Sequence, residues 1–227
     1  MMTNCTPLIL AGGKGTRLQS VSKGLPKPLM KINGKTFISY LLEKLYKVGF
    51  KKIYISVGFK SNEIIQKVGY KYKNVDLFYI LETSQLGTGG AVLNAFKKIK
   101  KKKLLILNGD SFCNFRLKKF IEFYNEDMDI LMLTVKVKNS SRYGNIKIAK
   151  NNKILKFSEK LGNSKIINAG VYILKKKIFK KNENSNFSLE KEIFSNINKN
   201  FYYYLSKGYF IDIGTPESYA LAKKNLK

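Results

Sequence analysis

Leu8-Ile9-Leu10-Ala11-Gly12-Gly13-Lys14-Gly15-Thr16-Arg17-Leu18 is the stretch on which the reading of this chain turns. Residues 7–10 form a short apolar run, the mark of a buried strand. Gly12, Gly13 and Gly15 follow, so the backbone there can take left-handed angles or let a ligand come close. Arg17 adds a planar cationic fork suited to phosphate. Further on, Pro26-Lys27-Pro28 holds a lysine between two rigid residues. Strand, glycine loop, arginine and stiffened lysine together suit the phosphates of a nucleoside triphosphate.

Two common phosphate loops are excluded by spacing. A dinucleotide fingerprint started at Gly13 reaches Gly15 and then needs glycine where Leu18 stands. A Walker loop needs Gly-Lys followed by Ser or Thr, and Gly13-Lys14 is followed by Gly15. What remains, L-A-G-G-x-G-T-R-L and then P-K-P, resembles the signature of the sugar-1-phosphate nucleotidyltransferases. That resemblance implies a nucleotide site built from Leu10, Ala11, Gly12, Gly13, Gly15, Thr16, Arg17 and Lys27. It also implies catalytic roles for Arg17 and Lys27.

At 227 residues the chain can bury one sizeable core, and one catalytic domain spanning 1–227 is expected. Its net charge of +28 raises the question of nucleic acid. The cations are nearly all lysine, however, spread along the chain, and the arginines are Arg17, Arg116 and Arg142. No zinc-finger, helix-turn-helix or RNA-binding pattern accompanies them, so specific nucleic-acid binding is not expected. The charge reads as solvated surface with a general attraction for phosphorylated substrates. Cys5 and Cys113 give no disulfide framework, and the absence of histidine leaves Cys113 without an activating base. No secretory signal and no long apolar run is present, so a cytoplasmic protein that does not enter the membrane is expected. A homo-oligomer is left open.

Outward from the first loop, strand and helix alternate. Residues 36–48 place Phe37, Ile38, Leu41, Leu42, Leu45 and Val48 at helical spacing, and Gly49 sits where a helix ends. Residues 52–57 read as a strand, Ser61 as the cap of a helix to about Val68, 77–81 as a strand and 91–99 as a helix. The continuous apolar run 104–107 has the character of a buried parallel strand. A helix at 117–124 and a strand at 130–137 follow. After that the pattern changes: 145–149 and 154–157 flank a turn, 166–174 is a strand, Ser188 caps a helix, and 201–205 and 209–213 are late strands. Thr215-Pro216-Glu217 is a strong helix start. The expected class is α/β, a doubly wound, mainly parallel sheet with a small mixed β region. The resemblance makes it Rossmann-like in the glycosyltransferase-A manner, with the mixed region on the sugar side.

The remaining motifs carry the chemistry. Asp110 ends the apolar strand in Asn108-Gly109-Asp110, where ligands collect in open α/β sheets, and a carboxylate there suits Mg²⁺. Asp212 lies in an apolar strand, where a carboxylate is costly unless paired or metal-bound. The resemblance makes both aspartates catalytic and assigns both to Mg²⁺. It likewise implies that Gln85, Gly87, Thr88 and Gly90 enclose the base, with Gln85 replacing the usual proline. On the sugar-phosphate side it implies Gly144, Glu159, Lys160, Asn168 and Gly170. The implied reaction is attack by a sugar 1-phosphate on the α-phosphorus of a nucleoside triphosphate. A phosphate monoester is largely dianionic near neutral pH and needs no general base, which fits a chain without histidine. Whole-chain likeness is greatest to the guanylyltransferases of heptose phosphates, implying GTP and a sugar 1-phosphate as partners, with mannose-1-phosphate guanylyltransferases and uridylyltransferases of amino-sugar phosphates the next in resemblance.

Overall fold

The computed structural model describes residues 5–140, 142–158, 164–180, 186–196 and 200–226. The strands are β1 Thr6–Leu10, β2 Lys31–Ile32, β3 Lys35–Thr36, β4 Lys52–Val57, β5 Lys71–Tyr72, β6 Val75–Leu81, β7 Lys103–Asn108 and β8 Ser111–Cys113. They continue with β9 Ile130–Lys136, β10 Asn145–Ile148, β11 Ile154–Ser158, β12 Ile166–Lys175, β13 Phe201–Ser206 and β14 Phe210–Asp212. The α-helices are α1 Gln19–Ser22, α2 Phe37–Val48, α3 Ser61–Val68, α4 Gly87–Ile99, α5 Leu117–Phe123 and α6 Pro216–Asn225, and Leu189–Phe194 makes a π-helical turn.

β1 lies inside the main sheet, whose order is β11-β10-β12-β7-β1-β4-β6-β5. β7, β1, β4 and β6 run parallel. The crossovers carry α2, α3 and α4, since parallel neighbours must be joined by a long connection. Next to β7 the sheet becomes antiparallel: β12 pairs with β7, and β9 pairs with β12 on its other side. β13 then runs parallel to β9. The hairpin of β10 and β11 joins the first half of β12, the expected mixed region.

β1 has no polar face because the sheet is covered on both sides. Leu8 belongs to the core under α4, whereas Ile9 belongs to the core under α2 and α3. α2 buries Phe37, Ile38, Leu41, Leu42 and Leu45 on one side, and α4 buries Val92, Ala95, Phe96 and Ile99 on the other. Each of the larger side chains contributes roughly 1.5–3 kcal/mol through burial. Gly49 closes α2 in the left-handed region at φ 96°, and Thr215 with Ser218 forms a complete capping box on α6.

Two readings need correction. Ser61 is the first residue of α3, not its cap; Lys60 precedes it at φ 51°, and the Ser61 amide donates to Gly58 O at 3.2 Å. α4 starts at Gly87 rather than at Ala91, because tertiary contacts hold its glycine-rich first turn. β14 falls within the strand expected at 209–213, but its partner β8, three residues long, shows no period in the sequence and is added by the structure.

Candidate active site

Two cavities open at the carboxyl ends of the parallel strands. The first, of about 240 Å³, is lined by the loop after β1, by Lys27, by the segment from Glu82 to α4 and by the end of β7. Leu10, Ala11, Gly12, Gly13, Lys27, Gln85, Gly87, Thr88 and Asp110 all face it. The second, of about 440 Å³, is lined by Arg17, Ser111, Arg142, Tyr143, Gly144, Phe157, Asn168, Gly170, Glu190 and Asp212. Asn108 and Asp110 border both cavities. A carboxylate therefore stands where the occupants of two pockets would meet.

Asp110 is held by Lys27, whose Nζ donates to Oδ2 at 2.8 Å. The Lys27 side chain is 13% exposed and that of Asp110 40%, so the pair is open on the carboxylate side. Asp212 reaches the same place from far along the chain. β14 pairs with β8 so that Asp212 stands opposite Ser111, and the Ile213 amide donates to Asp110 O at 2.9 Å. Around Asp212 the donors are dense. Oδ1 accepts from Arg142 Nη2 at 3.1 Å, Ser218 Oγ at 3.0 Å and the Gly214 amide at 2.8 Å; Oδ2 accepts from Tyr143 OH. Burial and the neighbouring carboxylate push the Tyr143 hydroxyl well above its ordinary pKa, so it stays a donor. The cost of an acid in an apolar strand is thus offset by hydrogen bonds.

The pattern that defines the nucleotidyl transferase family matches residues 6–227. The chain belongs to that family. Among curated relatives, this nucleotidyltransferase is 37% identical over 225 residues to D-glycero-alpha-D-manno-heptose 1-phosphate guanylyltransferase of Aneurinibacillus thermoaerophilus, covering 97% of both chains. It is 34% identical to the protein of the same name from Campylobacter jejuni, over 93% of this chain and 96% of that one. Among solved structures it matches HddC from Yersinia pseudotuberculosis, also described complexed with GMP-PN. The TM-score is 0.87 at 39% identity, covering 98% of this chain and 100% of that one.

In the nucleotidyltransferase the glycine-rich entry to α4 is covered by a segment from late in the chain. The Gly89 and Gly90 amides both donate to Phe187 O, at 2.9 and 3.3 Å, and the Phe187 amide donates to Leu86 O at 3.0 Å. A Cβ on Gly89 would lie 2.2 Å from the Phe187 ring, so that glycine makes room for the docked segment. Gly90 is buried under the segment and lines neither cavity. Gly15 and Thr16 also line neither cavity. Gly15 instead turns the backbone at φ 66° beneath the Lys27 stem. Arg17 is exposed and faces the second cavity rather than the first.

Gly144, Asn168 and Gly170 take their expected place in the second cavity. Asn168 also works as a brace: its Nδ2 donates to Tyr172 OH at 2.6 Å, and its Oδ1 accepts the Gly170 amide at 2.8 Å. Glu159 and Lys160 lie outside the described residues. Two acids escaped the motif reading. Glu190 faces the second cavity while its Oε2 accepts from Thr88 Oγ1 at 2.7 Å and Ser188 Oγ at 2.8 Å. It ties the π-helical turn to the start of α4. Glu82, one residue past β6, faces the first cavity, and burial raises its pKa above the ordinary carboxylate value.

The oxygen-rich meeting point fits a hard divalent cation. Asn108 Oδ1 and Ser111 Oγ are buried there without hydrogen-bond partners, next in sequence to Gly109-Asp110. Among the described residues no group of three or more Asp, Glu, Cys or His side chains converges. Mg²⁺ needs only one or two carboxylates with water and substrate phosphate: Asp110, with one lysine donor, is open to it, whereas Asp212 already accepts four hydrogen bonds and would exchange one of them to join. Among the described residues no helix is long and apolar enough to cross a membrane.

Proposed function

We propose that this nucleotidyltransferase transfers the guanylyl group of GTP to D-glycero-α-D-manno-heptose 1-phosphate, releasing pyrophosphate. The observation that carries the reading is Asp110 on the shared border of the two cavities. Similarity at 37% and 34% identity, running over 93% or more of this chain, to guanylyltransferases of that heptose phosphate supports the choice of substrates.

GTP would occupy the first cavity with its triphosphate toward Lys27 and the border that Asp110 shares with the second cavity, where Arg17 stands. The heptose phosphate would enter the second between Gly144, Asn168, Gly170 and Glu190. Its phosphate oxygen is already anionic, so the protein positions it and neutralises charge. Lys27 moves its ammonium from Asp110 to the α-phosphate as negative charge builds there. Arg17, exposed beside the second cavity, offers a fork to the phosphate groups. Bound by Asp110 and Asp212, Mg²⁺ would supply further neutralisation of phosphate charge. Arg142 and Tyr143 hold Asp212 in place. The reading puts the enzyme in the cytoplasm, supplying an activated heptose for surface-polysaccharide assembly.

The test is kcat/KM for GTP, UTP, dTTP, CTP and ATP, each with heptose 1-phosphate and with mannose 1-phosphate, read as pyrophosphate release. A clear guanine preference is expected, with heptose favoured and some turnover of mannose 1-phosphate, because an added hydroxymethyl group is discriminated only modestly. Preference for UTP or dTTP would overturn the guanylyl assignment.

A further inference from the structure

A third cavity, of about 700 Å³, lies at the opposite end of the sheet, by the amino end of β7 and the carboxyl end of β12. Seven of the residues lining it are lysines. The pairing of β12 with β7 builds it. Lys175 stands opposite Lys103 in the register, and the Lys176 amide donates to Lys102 O at 2.8 Å. Two lysine runs far apart in the chain, 100–103 and 175–177, are thereby laid side by side.

Cations set directly opposite on a strand pair repel. The fold answers part of that repulsion. Glu126 takes ion pairs from Lys103 and, at 3.4 Å, from Lys175, and Asp129 takes one from Lys177 at 2.6 Å. Lys101, Lys102, Lys176 and Lys180 are exposed and have no carboxylate partner among the described residues. Leu93 and the buried Phe179 give the same cavity an apolar lining.

That combination describes a ligand. A cavity of this size takes one small molecule and covers its apolar body. A single phosphate group brings at most about two negative charges and leaves half of the four cations unmatched. Two or three linked phosphates match them, each lysine giving a charge-assisted bond to a phosphate oxygen. The reaction centre is elsewhere: β7 runs from Lys103 to Asn108, so about 17 Å of strand separates this cavity from the border that Asn108 and Asp110 form.

We infer that this cavity is a second binding site, which takes a linked di- or triphosphate carried on an apolar body. A nucleoside diphosphate and an isoprenyl diphosphate share that chemistry. The site is independent of which sugar nucleotide the enzyme makes.

Calorimetric titration of ADP, farnesyl diphosphate and inorganic pyrophosphate into three proteins tests it: wild type, K27M and K101Q/K102Q/K176Q/K180Q. K27M loses a phosphate-facing cation at the reaction centre and leaves the lysine cavity whole. It should still bind ADP or farnesyl diphosphate, and the tighter of the two names the source of the diphosphate. The four-lysine variant should bind that ligand at least about 10-fold more weakly, the combined effect of four exposed charge pairs. Added salt should weaken the wild-type binding, because exposed charges are screened. Pyrophosphate should bind at least about 10-fold more weakly than the favoured ligand, since it leaves Leu93 and Phe179 uncovered. K101Q/K102Q and K176Q/K180Q should each show part of the loss, and all three lysine variants should keep wild-type turnover. Failure of K27M to bind either ligand, or undiminished affinity in the lysine variants, overturns the inference. So does pyrophosphate bound as tightly as the other two. Single-stranded RNA held through these lysines by a protein that takes neither small ligand overturns it in favour of nucleic acid.

Discussion

Replacing Gly109 with alanine tests how the two sides of the nucleotide cavity are registered. The Gly109 amide donates to Leu10 O at 2.8 Å, extending the β1–β7 pairing that ends at Leu10 and Asn108. A Cβ on Gly109 would lie 2.4 Å from that same carbonyl oxygen, 3.2 Å from its carbon and 3.3 Å from Ala11 Cα. All three are backbone atoms and cannot swing aside. Restoring ordinary contact requires the ends of β1 and β7 to part by about 1 Å, a misplacement of the kind that costs a reaction about 100-fold. Overpacking of this sort costs roughly 1–3 kcal/mol. At roughly 2–4 °C per kcal/mol for a chain of this size, Tm should fall by about 2–12 °C. Gly13→Ala is the control, because nothing lies within 4 Å of its added Cβ. It should melt like wild type and change chiefly the KM for nucleotide. Thermal melts and initial rates of pyrophosphate release on both variants decide the matter. A G109A protein within 1 °C and twofold of wild type, by the same overpacking argument, refutes the claim that the contact sets the geometry.

Lys27→Met should lower kcat by about 100- to 1,000-fold with GTP KM changed less than about fivefold, as for loss of a donor to developing charge. Its melting should barely move, because an ion pair this exposed on one side contributes at most about 1 kcal/mol; a kcat within fivefold of wild type removes Lys27 from the transition state. Asp110→Asn and Asp212→Asn should each lose at least about 100-fold of turnover, partly recovered by raising Mg²⁺, as expected for weakened metal-assisted phosphoryl chemistry. D212N should also lose about 1–2 kcal/mol of stability, after allowance for solvent around the 41%-exposed Arg142, because its charge-assisted bonds weaken. Near wild-type rates in both variants would count against a two-aspartate metal site. Burial pushes the thiols of Cys5 and Cys113 up to about 11. At pH 8 the thiolate is then about one part in a thousand, so iodoacetamide should label neither in the folded protein and both after denaturation, with native labelling rising only as the pH approaches 11; rapid native labelling at pH 8 would contradict their burial.

The sequence by itself determined the class of sheet and half of the site. Leu8-Ile9-Leu10 and Leu104 to Leu107 are apolar without a break because both faces of their strands are covered, a local signal of a parallel sheet. The first glycine loop, Lys27 and Asp110 were equally legible, since each follows its strand or turn within a few residues. Tertiary structure decided the rest. Asp212 meets Asp110 only because β14 lies antiparallel on β8; the strand at 209–213 is legible, but three-residue β8 and the pairing are not. The entry to α4 reads from its glycines as a loop that encloses the base, yet Phe187 O takes two of its amides from almost a hundred residues away. Thr88 likewise holds Glu190 at 2.7 Å across a separation of 102 residues. Glu82 sits one residue beyond β6 with no motif around it, and becomes part of the nucleotide cavity only when Ser56 and Gly12 close on its carboxylate. Periodicity and caps are written in neighbouring residues, because they arise from contacts within a turn or a strand. The partners of a buried carboxylate are chosen by strand order, which no short stretch of sequence contains.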